Sequence, residues 1–496
     1  MSGEERAVSR RTLLRAFGLT AATGALAASG ALPGGAASAV RPVTVQQWAA
    51  VRGDRYHIAH RGSGDVLPEH SMPAYQAAVD WGASCLEISV GITSDGVLVC
   101  MHDATYERTT TGTGRLLDQP SSVLETIRIR QPQLGQAWID HPPRVPLFED
   151  VLRAFGGVVV LAVEAKVPEA YDPMMAAVQR HGLKESVIAK IHFTNTNALS
   201  RAKAAGYPVF CYFGAAKETT VDAVVTTARS LNPATDYLVI PGYSYGGGPY
   251  LSDDIVAGAV GTGIPVWVHP LHRRIDAQHF FDKGTAGAIC SSYGYLARAC
   301  APVSTDSWAG QAISSGEMSR DPSSDTYAPT FTRDGTIVLG VQAKQHFITL
   351  GQCGSIATSS PTAIDLDLSW ATLPANDSDC LEVAFGRLDD SYYEHRQGNG
   401  DGYHAILRSN GSLGLYRHRD GQQDGEALTA KSSTPALRPG QWAHLRIETS
   451  NSGLRVSRTD SGTTVTASSV AVDDGYLHIG RASLDGVAAF RALRVS

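Results

Sequence analysis

Short apolar runs alternate with amphipathic stretches from residue 56 to about residue 300, and this alternation limits the possible folds more than any other feature. The runs read YHIAH, SCLEISV, VLVCMHD, VVVLAVEAK, SVIAKIHF, PVFCYF, YLVIP, PVWVHP and GAICSS, and segments such as PAYQAAVDWG and NALSRAKAAG separate them. Such runs predict repeated strand–helix units and a parallel sheet. Over about 250 residues, these units predict a closed (β/α)8 TIM-type barrel.

The chain offers nine candidate strands for the eight places of a barrel, so one strand is extra. We expect it in the pair of runs joined around Ser94-Asp95-Gly96, which is typical of a hairpin turn. An open doubly wound sheet would give the same alternation. The barrel is favoured because polar residues lie in or at the ends of several apolar runs, and a barrel gathers strand ends into one mouth.

The character of the sequence changes after Pro302. Runs with a period of two residues, such as YHAILRS, LGLYRH and WAHLRIE, are punctuated by turn signals such as SNGS and RDGQQDG. This pattern predicts an antiparallel all-β jelly-roll sandwich. The segments RPGQWAHLRIE and LHIGRASLDGVAAFRALRV resemble laminin-G or concanavalin-like modules. We therefore predict a barrel domain at residues 40–302 and a sandwich domain at residues 303–496.

The first 39 residues are interpreted as a targeting segment. Ser9-Arg10-Arg11-Thr12-Leu13 resembles a twin-arginine export signal, and an Ala- and Gly-rich run and the small-residue site Ala37-Ser38-Ala39 follow it. No later stretch reaches the roughly 18 uninterrupted apolar residues of a membrane helix. The sequence therefore predicts a secreted, extracellular protein without a transmembrane segment.

Charge and cysteine content bound the possible partners and the redox state. The net charge of −6, with 42 scattered basic residues, argues against nucleic acid as a partner. Seven cysteines in an oxidising compartment cannot all pair within one chain. We favour a disulfide between Cys353 and Cys380, with Cys290 and Cys300 as a weaker second pair.

Two carboxylates are predicted to face one cavity. Strand alternation sends Glu164 and Lys166 of VVVLAVEAK to the same face, and it puts Glu87 and Ser89 together on another strand. Two carboxylates with a serine beside them suit a hard divalent cation, Ca²⁺ or Mg²⁺, which takes oxygen ligands. The predicted metal ligands are therefore Glu87, Glu164 and Ser89.

The remaining polar residues suit a phosphodiester substrate. Arg61 and Lys166 supply fixed positive charge for phosphate oxygens. His60 and His102 lack a cysteine or second histidine at zinc-ligand spacing, so we interpret them as proton carriers. One histidine that takes a proton and one that gives a proton are the minimum set for breaking a phosphodiester.

These residues also carry a resemblance to a known family. His60-Arg61-Gly62, Pro68-Glu69, the Glu87 run, Thr93-Ser94-Asp95-Gly96, His102-Asp103, Arg108-Thr109-Thr110 and Glu164-Ala165-Lys166 resemble, in order and spacing, the glycerophosphodiester phosphodiesterase family. The resemblance implies a barrel that hydrolyses glycerophosphodiesters with one divalent cation. It implies acid–base roles for His60 and His102, metal ligation by Glu87 and Glu164, and phosphate binding by Arg61 and Lys166. It also matches Trp267 to a tryptophan that can floor the substrate pocket, although barrel packing explains this residue equally well.

The sequence departs from the family pattern in two places. Ser89 stands where most members carry an aspartate ligand, and Cys290-Ser291-Ser292-Tyr293 stands where members usually read Thr-Asp-x-Pro. An active secreted phosphodiesterase on a small or polymeric substrate is favoured. A phospholipase D-like enzyme that forms a cyclic phosphate and a non-catalytic wall- or glycan-binding protein stay open. The sandwich domain is expected to tether the catalyst to a glycan or cell-wall polymer, and a packing role against the barrel is the alternative.

Overall fold

The computed structural model describes residues 43–131, 134, 136–244, 250–297, 330–332, 334–340, 346–353, 362–387, 402–419, 425–470, 472, 475–482 and 485–496. The predicted export signal and the predicted boundary at residues 302 and 303 lie outside the described residues, so both stay predictions.

The first part of the described chain forms a closed barrel. Its parallel strands are β1 (Tyr56–Ala59), β2 (Cys85–Ile92), β4 (Val160–Ala165), β5 (Val187–His192), β6 (Val209–Tyr212), β7 (Tyr237–Pro241), β8 (Val266–Leu271) and β9 (Gly287–Cys290). Strand β1 pairs in parallel with β9 on one side and with β2 on the other, which closes the barrel. The predicted TIM-type barrel is confirmed.

The extra strand is where the sequence predicts it. Strand β3 (Leu98–Cys100) pairs antiparallel with the end of β2, and Val90 lies opposite Cys100. The turn between them has Gly96 at φ +84°, a conformation that favours glycine. The hairpin is therefore an addition to the eight-stranded barrel, and it places His102 just beyond β3.

Helices follow most of the parallel strands. In chain order they are α1 (Val45–Val51), α2 (Met72–Asp80), α3 (Gln136–Asp140), α4 (Phe148–Phe155), α5 (Pro168–Arg180), α6 (Thr196–Ala204), α7 (Val221–Ala228), α8 (Asp253–Val260), α9 (Arg274–Asp282) and α10 (Tyr293–Ala297). Side chains cap several N-termini: Ser71 accepts from Ala74 N, and Thr220 accepts from Ala223 N. None of the described helices is long and apolar enough to cross a membrane.

Alternate residues of the strands fill the barrel interior. The interior core contains apolar side chains from the N-terminal halves of the strands: Tyr56, Ile58, Cys85, Val160, Ala162, Ile188, Phe210, Tyr237, Val239, Trp267 and Ile289. Trp48 of α1 packs against the same core. The intervening strand residues point outward and pack against the helices in a second core. Because apolar residues fill one end of the interior, polar side chains are left for the other end.

The C-terminal part forms two antiparallel sheets. One has the order β10 (Thr330–Phe331), β11 (Ile337–Leu339), β23 (Val487–Val495), β13 (Thr362–Thr372), β19 (Ala443–Ser450), β20 (Gly453–Arg458) and β21 (Thr463–Ser468). The other contains β12 (His346–Cys353), β22 (Gly475–Ala482), β14 (Cys380–Arg387), β15 (Gly402–Arg408), β16 (Ser412–His418), β17 (Glu426–Ala427) and β18 (Ser432–Ser433). Leu366 and Trp370 of one sheet share a core with Leu381 and Phe385 of the other, so the predicted sandwich is confirmed.

The predicted disulfide between Cys353 and Cys380 is wrong. Cys380 is a free buried thiol. Strand β22 lies between the two strands, with Gly475 opposite Cys353 and Ala482 opposite Cys380. Seven residues of extended strand, at about 3.3 Å each, put the two positions far beyond disulfide distance. Cys290 is also free, and Cys300 lies outside the described residues.

Candidate active site

Polar side chains replace apolar ones at the C-terminal end of the barrel interior. They continue the inward-facing positions of the strands by one or two further steps of the same alternation. The set comprises His60, Glu87, Ser89, Glu164, Lys166, Lys190, Tyr212 and His269. These residues come from six strands or the turns that follow them, and they line one barrel mouth.

The backbone of the turn after β1 is strained, because three consecutive residues have positive φ and only one of them is glycine. Arg61, Gly62 and Ser63 have φ values of 52°, 75° and 76°. Gly62 is required there for a second reason, because a Cβ at this position would lie 2.9 Å from Ala74 of α2. The turn therefore presses against α2 while it directs His60 and Arg61 toward the mouth.

Each of the two predicted proton carriers is oriented by a partner on its Nδ1 atom. His60 Nδ1 lies 2.7 Å from Ser291 Oγ, and His102 Nδ1 lies 2.7 Å from Asp103 Oδ1. The Nε2 atoms face charged groups of the mouth: His60 Nε2 lies 3.5 Å from Glu87 Oε2, and His102 Nε2 lies 3.3 Å from Lys166 Nζ. An imidazole held through one nitrogen is free to exchange a proton through the other.

A continuous row of contacts joins the two imidazoles, which we call the charged row. Its members, in order, are His60, Glu87, Lys190, Glu164, Lys166 and His102. The Lys190 ammonium contacts Glu87 Oε1 and lies 2.7 Å from Glu164 Oε2. Lys166 Nζ lies 3.0 Å from Glu164 Oε1, which also accepts a hydrogen bond from Tyr212. Carboxylates and ammonium groups thus alternate across the mouth.

The pKa values within the charged row favour charged glutamates and neutral imidazoles. Burial would raise the pKa of Glu87, but Lys190 and His60 lower it well below its usual range. Burial would likewise raise the pKa of Glu164, but the two lysines lower it to about 2. Burial lowers the pKa of His60 well below its usual range, although Glu87 opposes the shift. Burial also lowers the pKa of His102, although Asp103 opposes this shift.

A second ionic network positions Arg61. Glu69 is buried, and its carboxylate lies 3.2 Å from Arg61 and 2.7 Å from Arg108. Arg108 also binds Asp103, the partner of His102. Burial would raise the pKa of Glu69, but the two arginines lower it far below its usual range. Glu69 therefore couples the phosphate-binding candidate Arg61 to the orientation of His102.

Residues 60–230 match the Glycerophosphoryl diester phosphodiesterase family. They form a domain of this family. A glycerophosphodiester phosphodiesterase of Bacillus subtilis (strain 168) is 29% identical over 136 residues, which cover 25% of this chain and 46% of that protein. One from Caldanaerobacter subterraneus subsp. tengcongensis is 30% identical over 139 residues, covering 26% of this chain and 55% of that protein. The chain thus spans only about half the length of these relatives.

Solved structures resemble the described fold. A phosphodiesterase of Oleispira antarctica in complex with the product sn-glycerol-3-phosphate is 20% identical, with a TM-score of 0.39, and covers 47% of this chain and 92% of that chain. A glycerophosphodiester phosphodiesterase of Agrobacterium tumefaciens is also 20% identical, with a TM-score of 0.39, and covers 49% of this chain and 100% of that chain.

The glycerophosphoryl diester phosphodiesterase domain contains every predicted site residue except Trp267. Trp267 is fully buried in the interior core, where the centre of its indole lies 4.3 Å from the centre of the tilted Tyr237 ring and its Nε1 donates a hydrogen bond to the Tyr56 hydroxyl. The predicted role of Trp267 in substrate binding is therefore corrected, because the side chain lies among the packed residues below the mouth. Barrel packing, the alternative interpretation, explains it.

The predicted cation does not fit the carboxylates of this family domain as they are arranged. Family members generally depend on a divalent cation, usually Ca²⁺. Here three of the four oxygens of Glu87 and Glu164 contact a lysine or tyrosine donor, and the fourth faces His60. The Ser89 hydroxyl is fully buried, and no described residue bonds it. Among the described residues, no group of three or more His, Cys, Asp or Glu side chains is arranged to hold a metal ion.

Two residues of the mouth were not predicted from the sequence. Lys190 was missed although SVIAKIHF sends Ile188, Lys190 and His192 to one face, so a charge in a buried run was the available signal. His269 was missed as well, and it belongs to β8. Its Nε2 lies 2.8 Å from the carbonyl oxygen of Phe213, and burial lowers its pKa to about 4.

Proposed function

We propose that the barrel hydrolyses glycerophosphodiesters to an alcohol and glycerol 3-phosphate. The observation that carries this proposal is the pair of imidazoles, His60 and His102, each held through Nδ1 and separated by the lysines and glutamates of the charged row. The family domain at residues 60–230 and the relatives named glycerophosphodiester phosphodiesterase support the same reaction class. The arrangement needs no protein nucleophile, because a hydroxyl of the substrate or of water can attack phosphorus.

The partners of the two imidazoles suggest different roles. His60 is bonded to a neutral serine and its pKa is low, so it is neutral and suits the general base. His102 is bonded to the Asp103 carboxylate, which opposes the lowering of its pKa by burial, so His102 is the better suited of the two to be the general acid. In the proposed step, His60 takes the proton of the attacking hydroxyl while an oxygen–phosphorus bond forms. The bond to the leaving alcohol breaks, and His102 gives that oxygen a proton. Where the attacking hydroxyl is the substrate's own, this step leaves a cyclic phosphate, and a water molecule then attacks phosphorus and breaks one ring P–O bond to give glycerol 3-phosphate.

Arg61 and Lys166 are placed to bind the phosphate. Both side chains are partly exposed at the mouth, 18% for Arg61 and 16% for Lys166. Glu69 holds Arg61, and Glu164 holds Lys166, so the positive charges are already in place when the substrate enters. Preorganised charge of this kind stabilises the negative charge that grows on the phosphate oxygens in the transition state.

The test is hydrolysis of glycerophosphocholine by the purified chain, followed by ³¹P NMR. We expect glycerol 3-phosphate and choline as products. His60→Ala and His102→Ala are each expected to lower kcat by about 10²-fold or more. His181→Asn is the matched control, because His181 pairs with Glu149 on the outer surface away from the mouth. A stable cyclic phosphate would favour the phospholipase D-like alternative, and full activity in either alanine variant would refute the assignment.

We also propose that the chain is exported through the twin-arginine pathway. The support is Arg10-Arg11 and the small-residue site Ala37-Ser38-Ala39 in the sequence. Replacing both arginines with lysine is expected to retain the protein inside the cell, and secretion of that variant at the normal level would refute the proposal. Glycan or wall-polymer binding by the sandwich domain stays a prediction.

A further inference from the structure

The position between Glu87 and Glu164 is filled by a side chain of the protein itself. Lys190 reaches it from β5, and its side chain is only 9% exposed. The ammonium contacts one oxygen of each carboxylate and lies 4.7 Å from the centre of the Tyr212 ring. Two carboxylates and an aromatic face are a complete set of partners for one buried cation. Lys190 is therefore held where two converging carboxylates would otherwise attract a metal ion.

Within the charged row, the carboxylate and ammonium charges balance without a further ion. Glu87 and Glu164 carry two negative charges, and Lys166 and Lys190 carry two positive charges in direct contact with them. Ser89, which shares the inward face of β2 with Glu87, adds no charge. A divalent cation bound by these carboxylates would lie next to the Lys190 ammonium, and the repulsion between the two would weaken its binding. A hard cation also needs six or more oxygen ligands. Here Glu87 Oε1 and Glu164 Oε1 already accept hydrogen bonds, and Glu164 Oε2 lies against the Lys190 ammonium, so only Glu87 Oε2, which faces His60, has no lysine or tyrosine contact among the described residues.

We propose that Lys190 replaces the divalent cation and that the site works without a bound metal ion. The claim that catalysis is metal-independent rests on the proposed hydrolysis. The claim that the protein binds no metal ion at this site does not, because it concerns the protein without substrate. The Lys190 ammonium keeps the two glutamates oriented and presents a fixed positive charge below the phosphate. A lysine cannot lower the pKa of a bound hydroxyl as a metal ion does, so activation of the attacking group falls entirely on His60.

The first experiment measures Ca²⁺ and Mg²⁺ binding to the intact protein by isothermal titration calorimetry after treatment with EDTA. We expect no binding at this site for the wild type. Lys190→Ala removes the ammonium and frees the carboxylates, so it is expected to bind Ca²⁺. The double variant Ser89→Asp/Lys190→Ala adds a third carboxylate and is expected to bind Ca²⁺ more tightly than Lys190→Ala. Glu87→Gln in the double variant should abolish that binding.

Lys203→Ala is the matched control. Lys203 also pairs with a buried carboxylate, because its Nζ lies 3.0 Å from Asp236 Oδ2, but it belongs to α6 and lies away from the mouth. We expect no gain of Ca²⁺ binding in this variant. Circular dichroism checks that each variant is folded. The wild-type titration needs no variant, so the inference stays testable even if Lys190→Ala does not fold.

The second experiment compares hydrolysis of glycerophosphocholine in EDTA with hydrolysis in millimolar Ca²⁺ or Mg²⁺. We expect kcat/KM of the wild type to change by less than about twofold, and Lys190→Ala to lose about 10²-fold in metal-free buffer. Stoichiometric Ca²⁺ binding by the wild type that Glu87→Gln abolishes, or activity that EDTA removes and Ca²⁺ restores, would overturn the inference. If the wild type hydrolyses no glycerophosphodiester in any buffer, the proposed function fails, while calorimetry still decides whether Lys190 excludes the cation.

Discussion

Replacing Glu69 with glutamine tests whether the ionic network beside the mouth holds Arg61 in place. The Glu69 side chain is 9% exposed and accepts hydrogen bonds from Arg108 at 2.7 and 3.0 Å and from Arg61 at 3.2 Å. Glutamine keeps the shape but loses the charge and turns an NH2 group toward a guanidinium. Breaking a buried ion pair costs about 3–5 kcal/mol, and the half-exposed Arg108 reduces this, so we expect Glu69→Gln to lower the free energy of unfolding by about 2–3 kcal/mol.

Urea unfolding measures the loss, with Glu149→Gln as the control. Glu149 also contacts two basic groups, Arg180 and His181, but at the surface, so its replacement should cost less than about 1 kcal/mol. Since Arg61 loses its anchor, kcat/KM for glycerophosphocholine should fall about tenfold in Glu69→Gln. Equal stability and equal kcat/KM for Glu69→Gln and the wild type would refute the reasoning.

The pH dependence of the same variant gives an independent check. The pKa of Glu69 is depressed in the folded protein, because Arg61 and Arg108 outweigh the effect of burial. The stabilisation is therefore complete above the unfolded pKa of about 4.5 and is lost as pH falls through the lower folded value. We expect the stability difference between the wild type and Glu69→Gln to shrink steadily below about pH 4.5. A difference that grows as the solution is acidified would contradict this ionic account.

Three further predictions follow from the described geometry. The pKa of His102 is lowered by burial, and Asp103 opposes that shift, so kcat/KM should fall as pH rises through a value below about 6.5. Asp103→Asn should move this limb of the pH profile to lower pH. A limb that does not move would exclude His102 as the titrating acid. Gly62→Ala should cost about 1–3 kcal/mol in thermal unfolding, because of the positive φ and the contact with Ala74, and a wild-type Tm would contradict this. Trp267→Phe should lower stability but leave KM unchanged, and a raised KM would return this residue to the substrate site.

The barrel could be predicted from the sequence because the pattern that indicates it lies within each short strand–helix unit. The alternation of apolar runs and amphipathic segments recurs in every strand–helix unit, so one wrong interpretation does not change the fold. The hairpin around Ser94-Asp95-Gly96 could be predicted because turn chemistry depends on a few adjacent residues. Glu87 and Glu164 could be placed near one another because parallel strands end at the same edge of a barrel.

The position of an inward-facing residue along the barrel axis is harder to predict from sequence. Trp267 and His269 both point inward from β8, yet one lies in the packed interior and the other reaches the mouth. A difference of two residues decides between these positions, and alternation alone does not mark where the apolar layers stop. Lys190 was missed for a related reason, since its partners Glu87 and Glu164 belong to other strands. The Cys353 pairing failed because disulfide geometry depends on strand order, which spacing does not reveal.

The hydrogen bond between His60 and Ser291 makes the orientation of the His60 imidazole depend on the last strand of the barrel. These residues lie 231 positions apart, and Ser291 reaches the imidazole only after β9 has joined β1 along the seam. A nascent chain that has not yet emerged through residue 291, or a fragment nicked before β9, leaves this imidazole without its Nδ1 partner. Catalytic activity therefore requires a closed barrel. During refolding, the rate of product formation should recover later than the helical circular dichroism signal.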